Sequence, residues 1–161
     1  MFRTAIASRT PLGVRVKAIL DAGELVSDEL TTQLVQERLS APDTATGFVL
    51  DGYPRNLAQA EALDEWLAAA GREVDTALFF DLCDEIATER ALGRAVAEGR
   101  ADDTPDVIAR RLALYHEQTE PVIEYYRTAG TLVPLQAERP VDAVFAEIES
   151  AIRPTAPAEA E

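Results

Sequence analysis

The segment Asp51-Gly52-Tyr53-Pro54-Arg55 places a carboxylate, a glycine, a proline and a guanidinium directly after the apolar residues 47–50. The apolar run predicts a buried strand, and open α/β sheets bind their ligands at the carboxyl ends of their strands. A planar guanidinium at that edge suits a phosphate group, which it can hold through two parallel hydrogen bonds. Taken alone, the segment slightly favours an ordinary strand-to-helix turn with a surface arginine.

Other arginines in the chain make a phosphate site the better interpretation. Arg90 and Arg94 are four residues apart on a predicted helix, so they project from one face, where two like charges repel unless an anion lies nearby. Arg100 follows a glycine and precedes two aspartates, as the mobile, charged turn of a closing lid would. Each arginine alone is more typical of a solvated residue or of a partner for an acid. The set favours phosphate binding, and it comprises Arg3, Arg55, Arg90, Arg94, Arg100 and Arg111.

Phosphoryl transfer is the reaction that this set of side chains would suit. It demands little covalent chemistry from the protein, but it needs accurate positioning and several cations around the migrating group. Asp51, at the end of a predicted strand, could hold a magnesium ion through water, because magnesium keeps most of its hydration shell.

Composition limits the class of protein further. A chain of 161 residues can form one domain with a sizeable core. The formal charge of −14 argues against broad binding to nucleic acid or anionic lipid. No apolar run approaches the roughly 20 residues of a membrane span, and residues 1–17 are not typical of a signal peptide. Cys83 is the only cysteine, which excludes a cysteine-rich zinc site. We therefore expect a cytoplasmic protein with no zinc, no nucleic-acid partner and no membrane attachment.

The elements that would position these residues follow from the apolar pattern. Buried strands are predicted at residues 47–51, 76–81 and 131–135, with helices between and around them. Helices are expected to begin at or beside Pro11, Ser27, Asn56, Asp84, Thr104 and Pro140. Strands that alternate with helices predict a parallel α/β sheet. Three strands are few for such a sheet, whose faces and edges need cover, so we expect part of it to be missing.

The chain resembles adenylate kinases of the short-lid bacterial form over residues 1–152. The similarity is carried by MFR (1–3), TPLG (10–13), KAILDAGELVSDEL (17–30), GFVLDGYPRNLAQAEAL (47–63), ERALGR (89–94), GRADDTPDVIARRL (99–112) and YHEQTEPVIEYY (115–126). Too few residues separate Arg94 from Arg100 for a folded, metal-binding lid. The resemblance implies a P-loop NTPase-like, three-layer α/β/α parallel sheet. It also implies a monomer that transfers a phosphoryl group between ATP and AMP, giving two ADP, with Mg²⁺.

The resemblance also implies an AMP site. Arg3 and Arg55 would hold the AMP phosphate, and Gln59 would recognise the adenine. Arg100 and Arg111 would contribute to the same site. The remaining lining is implied to come from Glu24, Leu25, Val26, Gly52, Tyr53 and Pro54.

A second set of residues is implied for ATP and for the transfer itself. Arg90 would stack near the adenine of ATP, and the backbone at Arg139 would touch that ring. Arg94, together with Arg55, Arg100 and Arg111, would surround the transferring phosphate, and Asp102 would help to close the lid.

One family feature is absent from the sequence. The phosphate loop G-x-x-x-x-G-K-[ST] cradles the β- and γ-phosphates in such proteins, and no such motif occurs here. Lys17, the sole lysine, lies on a predicted helix beside no glycine-rich turn. We therefore expect a truncated fold that lacks its first strand and phosphate loop, with weak or absent transfer. The alternative is a non-catalytic module that binds AMP, and a lesser one is a kinase acting on UMP or CMP.

The resulting prediction of domain organisation is simple. Residues 1–152 would form one adenylate kinase-like domain, with AMP-binding helices at about 1–40, a short lid at about 94–103 and the remainder as core. Residues 153–161, rich in proline, alanine and glutamate, would form a disordered tail.

Overall fold

The computed structural model describes residues 2–22, 26–99 and 104–152, without the side chains of Phe2, Arg3 and Leu20. The chain forms two compact units, Met1–Glu73 and Val74–Glu161. Within the described residues, no helix has the length and apolar character needed to cross a bilayer.

The described part of the first unit is helical. Its α-helices are α1 (Phe2–Ala7), α2 (Pro11–Asp21), α3 (Asp28–Leu39) and α4 (Leu57–Ala69), with a short 3₁₀ turn at Pro42–Thr44. The apolar cluster between α1, α2 and α3 is centred on the buried residues Val16, Leu30 and Leu34. Gly13 allows α1 and α2 to approach closely, because a Cβ atom at this position would lie 2.1 Å from the carbonyl oxygen of Ala5.

The two helices that later frame the site begin as predicted. The Ser27 hydroxyl accepts a hydrogen bond of 3.3 Å from the Leu30 N–H at the start of α3. The Asn56 side-chain oxygen accepts one of 2.9 Å from the Gln59 N–H at the start of α4. Each cap satisfies an N–H group that has no partner inside the first turn of a helix.

The second unit contains the parallel strands. The described elements are β1 (Ala77–Asp81), α5 (Asp84–Glu98), α6 (Pro105–Leu114), α7 (Glu120–Ala129), β2 (Leu132–Gln136) and α8 (Val141–Ile152). β1 and β2 pair in parallel, with Ala77 opposite Leu132 and Asp81 opposite Gln136. Two of the three predicted strands are thus confirmed to within a residue. A mostly helical chain with a small parallel sheet is consistent with the predicted P-loop NTPase-like α/β class.

The prediction of a strand at residues 47–51 was wrong. No β-ladder forms there, and the side chain of Val49 is 94% exposed. Phe48 instead lies under the guanidinium of Arg72, 4.9 Å from the ring centroid. An apolar composition favours a strand, but the conformation is stabilised by hydrogen bonds to a neighbouring strand. The described residues provide no such neighbour for this segment.

Two helices leave apolar side chains exposed. Leu57, at the first position of α4, is 40% exposed. On α8 only Val144 is buried, whereas Val141 and Phe145 remain largely exposed. The helices themselves form where they were predicted.

A π-helical turn, Tyr115–Thr119, follows α6 in the helical region that was predicted to begin at Thr104. Pro121 explains it, because proline has no N–H to donate and its ring would clash with the carbonyl four residues earlier.

Within this turn the ring of His116 lies between two carboxylates. Its Nε2 is 2.9 Å from Asp84 Oδ2, and its Nδ1 is 3.1 Å from Glu120 Oε2.

The His116 contacts predict a pH-dependent contribution to stability. The hydrogen bond to Asp84, followed by that to Glu120, raises the pKa of His116 above its ordinary value. A raised folded-state pKa stabilises the fold fully below the unfolded value of about 6.5, and this contribution disappears as the pH rises through the folded value. Replacing His116 with Gln should therefore lower the melting temperature more at about pH 5.5 than at about pH 8.5. Melts followed by circular dichroism would check this, and equal losses at both pH values would contradict it.

The core of the first unit gives a second prediction. Leu67 on α4 is fully buried, so Leu67→Ala should destabilise this unit by about 2–5 kcal/mol through lost burial and a residual cavity. Leu57→Ala is the matched control on the same helix, where 40% exposure predicts a loss below about 1 kcal/mol. Urea unfolding followed by the fluorescence of Trp66, the only tryptophan, would measure both. Equal losses would contradict the assignment of Leu67 to the core.

Candidate functional site

The turn at residues 51–55 is tied to α3 and α4 through Tyr53. This tyrosine is buried, and its hydroxyl lies 2.9 Å from the Thr32 hydroxyl on α3 and donates to the Gln59 carbonyl on α4 at 3.4 Å. Burial, as the largest cause, raises the pKa of Tyr53, so the phenol remains a neutral donor. The turn is therefore held between α3 and α4.

Gly52 and Arg55 depend on each other within this turn. Gly52 has a φ of +72°, a conformation that disfavours side chains, and a Cβ atom there would lie 3.1 Å from Arg55 Nη2. The Nε–H of Arg55 donates to the Gly52 carbonyl at 2.7 Å. This bond restrains an exposed guanidinium close to the backbone of the turn. The acid before it, Asp51, is also exposed.

The side-chain amide of Gln59, which was predicted only to bind a ligand, has two partners within the protein. Its amide oxygen accepts the Arg55 N–H at 2.8 Å, and its amide nitrogen donates to Asp28 Oδ1 at 2.5 Å. The other oxygen of Asp28 accepts from Asn56 Nδ2 at 2.8 Å. We call Asp28, Asn56 and Gln59 the amide triad. The side chain of Gln59 is only 5% exposed.

Asp28 was not predicted as a site residue. As an acid in the first turn of α3 it also complements the helix dipole. The signal available was its place directly after the cap residue Ser27 in the VSDEL motif. Its contact with Gln59 spans 31 positions in the chain, and only the packing of α3 beside α4 brings the two together.

A groove runs along the amide triad between α3 and α4. It has a cavity volume of about 390 Å³, which is within the range of small-molecule sites. Its lining consists of Asp28, Glu29, Thr32, Gln33, Gln36, Ala58, Gln59 and Ala62. The groove combines polar side chains on α3 with two alanines on α4, so it offers both hydrogen bonding and room for a flat ring.

In the second unit, Arg90 and Arg139, which were both predicted to bind ATP, lie together at the loop after β2. The Arg90 guanidinium on α5 donates to the Ala137 carbonyl at 2.8 Å and lies 3.5 Å from the Glu138 carbonyl. Arg139 belongs to the same loop, where its N–H donates to the Gln136 carbonyl at 3.2 Å and its guanidinium pairs with Glu147. The loop and the face of α5 that carries Arg90 are therefore adjacent.

Arg94 lies one turn after Arg90 on α5, and Arg111 lies on α6, which packs against α5. Both side chains are exposed, and both interact with other groups of the protein. Val26 packs against the apolar cluster around Val16, and Pro54 is half-buried.

The remaining predicted positions lie outside the described residues. They are the side chain of Arg3, the residues Glu24, Leu25, Arg100 and Asp102, and the segment 153–161. The described residues contain no cluster of three or more histidine, cysteine or acidic side chains that could hold a metal ion.

Sequence comparison with known proteins identifies the family of this chain. Residues 1–131 match the family described as adenylate kinase. A protein of Stenotrophomonas maltophilia (strain K279a) named adenylate kinase is 44% identical over 153 residues, which are 95% of this chain and 82% of that protein. The adenylate kinase of Caulobacter vibrioides (strain NA1000 / CB15N) is 46% identical over 156 residues, covering 97% and 82%. That of Cyanothece sp. (strain PCC 7425) is 44% identical over 149 residues, covering 92% and 76%.

These matches place the chain among the phosphotransferases that act on nucleoside monophosphates. With matches over most of its length, this chain belongs to the adenylate kinase family. The resemblance inferred from the sequence motifs is thereby confirmed.

The contact between Tyr53 and Thr32 can be tested by a double-mutant cycle. Tyr53→Phe and Thr32→Val each remove one hydroxyl, and the double variant should show a coupling energy of about 0.5–1.5 kcal/mol in urea unfolding. Thr31→Val provides the matched control, because the Thr31 hydroxyl donates to the Ser27 carbonyl at 2.9 Å. A cycle of Tyr53→Phe with Thr31→Val should show coupling near zero. Equal coupling in both cycles would contradict a direct hydrogen bond.

Proposed function

We propose that this protein catalyses reversible phosphoryl transfer between ATP and AMP, giving two ADP, and that its first unit binds AMP. The observation that carries the proposal is the turn in which Gly52 anchors Arg55 while Arg55 and Asp28 hold the amide of Gln59. Membership of the adenylate kinase family supports the reaction class.

In this proposal Arg55 binds the phosphate of AMP, together with Arg3. A guanidinium suits this role, because it presents parallel donors to phosphate oxygens and keeps its charge at all relevant pH values. The hydrogen bond from its Nε to Gly52 already restricts the side chain, so less conformational entropy is lost when phosphate binds.

The adenine of AMP lies beside Gln59 in the groove between α3 and α4. An amide presents a donor and an acceptor side by side, which is the pattern that the amino edge of adenine complements. The proposed lining also includes the backbone of residues 24–26 and the turn residues Gly52, Tyr53 and Pro54. The volume of about 390 Å³ supports binding of a group of this size.

The second unit supplies the residues proposed for ATP. Arg90 stacks near the adenine of ATP, and the loop at Arg139 contacts the same ring, which the hydrogen bond from Arg90 to the loop after β2 supports. Arg94, Arg100 and Arg111 neutralise the phosphates during transfer. Charge stabilisation of this kind is the main contribution that proteins make to phosphoryl transfer.

Magnesium is proposed to accompany ATP, as in the family generally. Asp51 suits this ion, since it is an exposed oxygen ligand and magnesium usually binds proteins through one or two carboxylates, water and substrate phosphates. When bound, the ion would neutralise phosphate charge, and Asp51 would orient one of its water molecules.

A second candidate function is AMP binding without transfer. It is favoured by the anchored guanidinium of Arg55 and the oriented amide of Gln59, which could bind AMP without taking part in phosphoryl transfer. A coupled assay of ADP formation from ATP and AMP with magnesium separates the two candidates. Turnover that Arg94→Ala abolishes supports the kinase, whereas AMP binding without turnover supports the second candidate.

The AMP site gives a sharp prediction for Arg55. Arg55→Ala should weaken AMP binding by about tenfold to a hundredfold, the equivalent of one or two charged hydrogen bonds, and should leave adenosine binding unchanged. Gln59→Ala should weaken both ligands, because it removes contacts to the base. Calorimetric titration would measure each affinity.

The control for this prediction is Arg38→Ala. Arg38 is an exposed arginine of the same unit that pairs with Asp43 at 2.7 Å, so its removal changes the charge equally without touching the turn. AMP affinity should be unchanged in this variant. Absence of binding by the unmodified protein at millimolar AMP, or equal effects of Arg38→Ala and Arg55→Ala, would refute the proposed phosphate site.

A further inference from the structure

The orientation of the Gln59 amide is determined by what its two partners can do. The Arg55 N–H can only donate a hydrogen bond, so the amide oxygen must face it. The Asp28 carboxylate can only accept, so the amide nitrogen must face that side. Rotating the amide by half a turn would place oxygen against a negative carboxylate and NH₂ against an N–H group.

Asp28 is itself held in place by the rest of the amide triad. Its second oxygen accepts from Asn56 Nδ2, and the Asn56 oxygen accepts from the Gln59 backbone N–H. The orientation of Asn56 is therefore determined as well. The three side chains form a closed network that joins the first turn of α3 to the first turn of α4.

The N–H group and the oxygen lone pair of the Gln59 amide that remain for a ligand have a fixed orientation. A primary amide has two N–H groups and two oxygen lone pairs, and Asp28 and Arg55 are its partners among the residues that the structure describes. One donor and one acceptor remain for a ligand. Adenine offers an amino group that donates beside a ring nitrogen that accepts, whereas hypoxanthine offers the reverse order on the corresponding edge. A freely rotating amide can match both bases, but one held in a single orientation matches one of them.

We propose that Asp28 is a positioning residue that orients the Gln59 amide and so makes the site select AMP over inosine monophosphate (IMP). This inference rests on the proposed binding of AMP beside Gln59. Asp28 orients Gln59 and does not itself contact the base. Its replacement should therefore change the ratio of the AMP affinity to the IMP affinity. A residue that only stabilised α3 would leave that ratio unchanged.

Calorimetric titration with AMP and with IMP tests the inference on the full chain. Asp28→Asn replaces the obligatory acceptor by a group that can also donate, so the preference for AMP over IMP should fall about tenfold, the equivalent of one charge-assisted hydrogen bond. Glu37→Gln is the matched control, because it removes the same charge from an exposed position of α3 outside the groove. Its AMP-to-IMP ratio should equal that of the unmodified protein.

The possible outcomes are distinct. If AMP binds and the ratio stays constant in Asp28→Asn, the Arg55 N–H alone orients the amide; the inference is then overturned while the proposed function stands. An equal fall in Glu37→Gln would also overturn it, since the cause would be charge rather than contact. Failure of the unmodified protein to bind AMP would overturn both proposals. Should circular dichroism show that Asp28→Asn does not fold, Asp28→Ser poses the same question with a side chain suited to a first helical turn.

Discussion

The site in the first unit depends on one physical constraint: a buried primary amide must have hydrogen-bond partners. Leaving such a group unsatisfied costs about 1–3 kcal/mol, and at Gln59 the partners come from the turn before α4 and from the start of α3. The same contacts that satisfy Gln59 also hold α3, α4 and the turn of Arg55 in one arrangement. Structural integrity and the presentation of the site therefore arise from the same hydrogen bonds.

The anchoring of the arginines has a related electrostatic reason. The chain carries a formal charge of −14, and its proposed ligands are anions, so long-range electrostatic repulsion opposes binding. Binding must then come from short-range contacts with side chains that are already positioned. Arg55 is restrained by the Gly52 carbonyl, and Arg90 is restrained by the Ala137 carbonyl. In both cases a backbone oxygen, which is uncharged, restrains the guanidinium.

The caps and the longer helices could be predicted from the sequence because their causes are local. Ser27, Asn56 and Thr104 each bond to an N–H group three residues ahead, and such contacts need no distant partner. The π-turn before Pro121 was not predicted, although its cause is also local. The family was recognised from the sequence too, because several motifs occur in order and with the right spacing.

The tertiary structure decided the features that rest on distant contacts. Residues 47–51 are apolar enough for a strand, yet they form none, because a strand needs a neighbour and composition does not provide one. Asp28 could be placed on a helix from the sequence, but its hydrogen bond to Gln59 joins positions 31 residues apart. The sequence by itself thus determined the residue types, the helix ends and the family. Which polar groups meet, and in what orientation, was decided by the packing of α3 against α4, since the energy of a hydrogen bond depends on distances of a few tenths of an ångström.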